Sequence, residues 1–174
     1  MMRDKIQIYA LFILIVMKLQ IDLSGCDIFM ENSVLGLSDC KGLIKGFQIN
    51  KNIINGLQTN WEAGKYFCKY SKRGLGFFKA MVYSSIICCL LESIHVKEVE
   101  LEICRDLRFH ENNIKQRLSK LLRKKLAIKI NSITFKCMKG TDVDNYAYLM
   151  FKDNYNLLST YVNLSLQEIE RFLF

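Results

Sequence analysis

Seven cations, Lys115, Arg117, Lys120, Arg123, Lys124, Lys125 and Lys129, face the single acid Glu111 between residues 110 and 130. Such side chains donate hydrogen bonds to phosphate oxygens and base edges, so the chemistry on offer here is recognition of a polyanion. Most of the formal charge of +8 lies in this stretch. Ile114, Leu118, Leu121, Leu122 and Leu126 recur within it at helical spacing and define a side that must be buried. The other positions, Asn112, Asn113, Lys115, Gln116, Arg117, Ser119, Lys120, Arg123 and Lys124, are the candidate DNA-binding residues. Asn112, Asn113, Gln116 and Arg117 suit base edges, and the lysines and arginines suit phosphates. An isolated charge run is more often a solvated face, so the flanking elements decide its meaning.

Upstream, Val99, Ile103, Cys104 and Leu107 make a shorter apolar stripe, read as a helix with Glu98, Glu100 and Glu102 in its first turn. Arg108, Phe109 and His110 form the turn between the two helices. Downstream, 127–138 reads as a strand, Lys139-Gly140-Thr141-Asp142 as a hairpin tip and 145–151 as the returning strand. In that last segment Tyr146, Tyr148 and Met150 alternate with Ala147, Leu149 and Phe151, as a two-sided ribbon requires. The expected fold is mainly α with a small β-hairpin: a helix-turn-helix followed by a wing, with an extra N-terminal segment and C-terminal helices.

The run Leu101-Glu102-Ile103-Cys104-Arg105-Asp106-Leu107, then Ile114, Leu118, Leu121 and Leu126-Ala127, and then 142–148, resembles the winged helix-turn-helix of MarR- and ArsR-type transcription regulators. The resemblance covers about 77–161. It implies a cytoplasmic homodimer on double-stranded DNA, with 112–124 in the major groove and a wing at about 128–151. It also implies that Asn112, Asn113, Lys115, Gln116, Arg117 and Lys120 face the groove and that Lys136 and Lys139 are wing contacts. Lys125 stands where that family has a helix-ending glycine. The alternative from another class is a winged-helix protein-interaction subunit of a transcription, replication or chromosome assembly.

Three segments divide the rest: 1–58 of uncertain role, 59–161 as the winged-helix domain with its leading helices, and 162–174 as a C-terminal, dimerising helix. Residues 77–94 are apolar on every side, as an enclosed helix is. Thr59 and Glu62 have the spacing of a capping box, and so do Ser165 and Glu168. Trp61, Tyr66, Phe67 and Tyr70 interleave with Lys65, Lys69, Lys72 and Arg73, a pattern of half-buried packing or of stacking on unpaired bases. Residues 6–17 are apolar behind Arg3 and Lys5, but twelve residues are too few for a spanning helix, which needs about twenty. A buried N-terminal element, with Met17 as a candidate start, is preferred to a membrane tether through 6–17, and 18–27 is read as a strand.

Seven cysteines, Cys26, Cys40, Cys68, Cys88, Cys89, Cys104 and Cys137, include no C-x-x-C pair and no histidine at ligand spacing, which argues against zinc and for reduced thiols. Oxidant sensing through Cys26 or Cys40 is a lesser alternative. The histidines, His95 and His110, lack an evident nucleophile or carboxylate partner, and Arg73-Gly74-Leu75-Gly76-Phe77 lacks the lysine and third glycine of phosphate loops. No enzymatic activity, cofactor or metal is expected on these grounds.

Overall fold

The computed structural model describes residues 16–25, 27–153 and 160–174. Five strands, β1 (Met17–Ser24), β2 (Val34–Ser38), β3 (Ile44–Gln48), β4 (Glu98–Cys104) and β5 (Lys129–Lys136), form one sheet in the order β3-β2-β1-β4-β5. β1, β2 and β3 are a meander of antiparallel pairs, whereas β4 and β5 lie parallel to β1 and to each other. The helices are α1 (Lys51–Glu62), α2 (Leu75–Ser93), α3 (Glu111–Lys125), α4 (Asp142–Lys152) and α5 (Leu166–Glu170), with a 3-10 turn at Arg108–His110. Because β1, β4 and β5 run the same way, their C-terminal ends open at one edge of the sheet. That edge is where open α/β sheets place ligand sites.

Alternation explains the layers. Leu19, Ile21 and Leu23 of β1, Leu35 and Leu37 of β2 and Val99, Leu101 and Ile103 of β4 are buried in the main core with Leu57 of α1, Phe78, Ile86 and Leu90 of α2, and Ile114 and Leu118 of α3. The opposite face, carrying Gln20, Asp22 and Gly36, receives α4. A Cβ on Gly36 would stand 3.1 Å from that of Ala147, and one on Gly46 would collide with the Met150 side chain, so glycine at both lets the helix lie close. Ile169, Phe172 and Leu173 close the main core at its end.

The mainly α fold with a hairpin wing is therefore corrected to α+β around a five-stranded mixed sheet. Two elements account for the change. The stretch 98–104 alternates acid and aliphatic at period two, and it pairs with β1 on one side and β5 on the other, so it is a central strand and not the first helix of a helix-turn-helix. The stretch 145–151 belongs to α4. Thr141 caps this helix through Asp144 N–H, and Val143, Ala147 and Met150 sit at steps of four and three on its buried side. β5 consequently has no returning strand, and a wing at 128–151 does not exist. Thr59 and Glu62 close α1, which Asn50 caps at its other end, and so begin nothing.

Other expectations hold. α2 is enclosed, α3 buries the predicted leucine stripe, Ser165 and Glu168 form a capping box, and β1 falls within the predicted strand apart from its first residue. The left-handed residue that ends α3 is Ala127, at φ 53°, two positions after Lys125. The apolar 6–15 and Cys26 lie outside the described residues, as do 154–159. Tyr161 forms a parallel bridge to Gly46.

Candidate functional site

α3 is amphipathic because its leucines are spent on the core, which leaves Asn112, Lys115, Gln116, Lys120, Arg123 and Lys124 exposed and Ser119 half-buried. With Lys129, Asn131, Ser132 and Thr134 of β5, all of these but Lys124 line a groove of about 1150 Å³ that contains no acidic side chain. The other candidate residues are engaged elsewhere. Asn113 Nδ2 lies 3.3 Å from His110 Nδ1, and Lys136 pairs with Glu102 at 2.5 Å. Arg117 turns under the C-terminal segment and donates to the Phe172 carbonyl, while its Nε is buried without a partner among the described residues. Lys139 is exposed beside a different cleft.

That second cleft, about 940 Å³, sits where the parallel strands end. β1 contributes Asp22, the segment leaving β4 contributes Cys104 and Asp106, the start of α3 contributes Glu111, and the first turn of α4 contributes Asp144. Ligand atoms of Asp22, Cys104 and Asp106 all lie within 4.8 Å of one another. Asp22 is only 7% exposed. Burial, then the charges of Asp106 and Asp144, push its carboxyl up to about 6, against the opposing hydrogen bonds from Cys104 and the Leu23 amide. No lysine or arginine pairs with it among the described residues. Burial first, and then the Asp106 charge, raise the Cys104 thiol well above its ordinary range, so it stands there as a neutral group 3.2 Å from the Tyr83 hydroxyl.

A buried carboxylate facing two more and lacking its own counter-ion is an arrangement that a divalent cation relieves. Aspartate oxygens suit a hard ion such as Mg²⁺ or Mn²⁺. The helix start adds precision: Asp144 Oδ2 accepts from Gly140 N–H at 2.7 Å, which fixes the carboxylate at the mouth of the cleft. Around the rim stand Arg105, Arg108 and Lys139. Phe109, on the 3-10 turn just after Asp106, is 97% exposed. The turn is held from below by His110, whose ring lies against Gly76 at the start of α2, where any Cβ would clash.

Asp22, Asp106 and Asp144 were missed by motif reasoning because they come from three distant segments and no spacing rule joins them. One signal was present, an acid between the aliphatic residues Ile21 and Leu23 of a strand-like alternation. Comparison of the chain with protein-family models, with curated proteins and with solved structures gives no match.

Proposed function

We propose that this protein is a nucleic-acid phosphodiesterase that works with a divalent cation held by Asp22 and Asp106, with Asp144 at the mouth of the same cleft. The observation that carries the reading is Asp22, a buried strand carboxylate beside two other acids that forms no ion pair among the described residues. A bound divalent ion would supply Lewis acidity and would lower the pKa of a coordinated water. The protein's own groups do the rest. Cys104 orients Asp22, Gly140 orients Asp144, and Arg108 and Lys139 at the rim suit the phosphates flanking the scissile one. A nucleic acid is favoured over a small phosphoester by the acid-free groove between α3 and β5, which begins at Asn112, next to Glu111 of the cleft. The exposed Phe109 ring supports the same choice, since a base can stack on it.

The test is cleavage of labelled single-stranded, duplex and branched DNA and RNA with Mg²⁺ or Mn²⁺, together with thermal melts in either ion. Cleavage that Asp106→Asn or Asp144→Asn reduces at least about a hundredfold in folded protein supports the reading. No cleavage of any substrate and no shift of the melt by either ion would refute it. A second reading, duplex binding by a gene regulator through α3, is favoured by the exposure of Lys115, Gln116, Lys120 and Arg123. It requires tight, sequence-selective binding of duplex DNA without metal-dependent cleavage.

A further inference from the structure

The connection between α1 and α2, residues 63–74, has its backbone pinned while its central side chains are turned outward. The Trp61 indole N–H donates to the Cys68 carbonyl at 2.7 Å. Tyr66 is buried, its ring stacked on Phe78 and its hydroxyl donating to Glu170 at 2.5 Å. Gly74 N–H donates to the Ser71 hydroxyl at 2.9 Å. Phe67, held between the anchored Tyr66 and Cys68, is thereby forced to 86% exposure, whereas Tyr70, 53% exposed, packs its ring edge-on against Trp61 at 4.8 Å. Lys69, Lys72 and Arg73 are exposed alongside, the segment contains no acid, and none of these three cations forms an ion pair among the described residues. Lys65 differs, because Glu170 holds it.

The location adds the second half of the inference. The segment leads into α2 at Gly74, and Gly76 touches His110 of the turn that follows Asp106. The loop therefore lies at the same edge of the sheet as the acidic cleft, on the α2 side of Phe109. A ring that cannot fold inward, Phe67, set among the exposed cations Lys69, Lys72 and Arg73, matches an unpaired nucleotide strand: bases have faces to stack, and their phosphates need positive partners. A duplex does not offer those faces.

We propose that residues 67–73 form a platform for the unpaired part of a nucleic-acid substrate, with Phe67 stacking on a base and Lys69, Lys72 and Arg73 holding phosphates. The proposal rests on the phosphodiesterase reading for its substrate class, but it is tested without metal. Full-length protein in EDTA is titrated with single-stranded DNA and RNA oligonucleotides carrying 2-aminopurine, with a duplex of equal length, and with anionic lipid vesicles. Phe67→Ala is expected to weaken single-strand binding about tenfold or more and to abolish quenching, while Phe67→Trp restores both and duplex binding is unchanged. Lys72→Gln and Arg73→Gln each lower the salt dependence of single-strand binding by about one ion. Single-strand affinity indifferent to Phe67→Ala, or a Phe67-dependent attachment to vesicles with none to oligonucleotides, overturns the platform. Loss of metal-dependent cleavage with the Phe67 effect intact would count against the phosphodiesterase reading alone.

Discussion

Glu102 and Asp22 lie one step apart on the same face of the β1–β4 pair, and their surroundings are opposites. Glu102 is opposite Gln20 in the register. It is contacted by Lys18 at 2.9 Å, Lys136 at 2.5 Å and Gln20 at 3.0 Å. Burial works against its charge, but the hydrogen bonds from Lys136, Lys18 and Gln20 outweigh it and hold the carboxyl down at about 2. Two residues further along β1, Asp22 is buried against Asp106 and Asp144 and is raised to about 6. The chain compensates one carboxylate with its own cations and, among the described residues, pairs none with the other. On the proposed reading, that contrast separates a structural acid from a ligand-binding one better than acidity or burial does by itself.

The largest effect expected from this contrast is on Asp22→Asn. Removing the charge should abolish metal-dependent cleavage, by about a hundredfold or more, and yet stabilise the metal-free protein at pH 8. The uncompensated charge costs on the order of 3 kcal/mol, and a chain of this size gains about 2–4 °C in melting temperature per kcal/mol. A variant that is both inactive and less stable would make Asp22 a structural residue, and the comparison would fail.

The pH dependence follows with a defined sign. The folded-state value for Asp22 is above its ordinary one, so its stabilising protonated form is fully present below about pH 4 and is lost as pH rises through about 6. Metal binding competes with that proton. The melting shift produced by Mg²⁺ or Mn²⁺ should therefore be small at pH 5 and reach its full size above pH 7, by melts at fixed ion concentration. A metal shift that does not change with pH would separate Asp22 from the ion.

Glu102→Gln should do the reverse of Asp22→Asn. Breaking its contacts to Lys18 and Lys136 costs roughly 1.5–3 kcal/mol near neutral pH, with cleavage per folded molecule unchanged. Its depressed value means that the contribution is present above about pH 4.5 and is lost as pH falls toward 2, so wild type and variant should converge in acid denaturation curves. A variant that lost cleavage while keeping its stability would place Glu102 in the site and erase the distinction.

How much could be read in advance follows from the range over which each signal acts. α2, α3, β1 and the Ser165 cap were legible because apolar periodicity and capping are local. The strand at 98–104 was misread because a helical stripe can be drawn through Val99, Ile103 and Leu107. The perfect alternation of Glu98, Glu100 and Glu102 with Val99, Leu101 and Ile103 was the stronger pattern. Residues 145–151 were misread because Tyr146 and Tyr148 alternate with Ala147 and Leu149, although the buried positions follow helical steps from Val143. The acidic cleft was invisible for another reason: parallel crossovers bring Asp22 and Asp106 together over more than eighty residues of chain.

The smallest expected effects lie within α3 and carry the comparison to cations. Arg117 and Lys120 are three residues apart on the basic helix, but Arg117 is enlisted by the fold through the Phe172 carbonyl, and burial lowers its pKa. Lys120 is exposed in the groove and forms no ion pair among the described residues. Arg117→Ala should lower stability by about 1–3 kcal/mol, since it frees a buried carbonyl, and should leave the salt dependence of nucleic-acid binding untouched. Lys120→Ala should leave stability within about 0.5 kcal/mol and reduce the salt slope by about one. Chemical denaturation and salt titrations on the same two variants check both halves. A reversal, with Arg117 governing binding and Lys120 stability, would mean that the C-terminal segment leaves α3 when nucleic acid arrives.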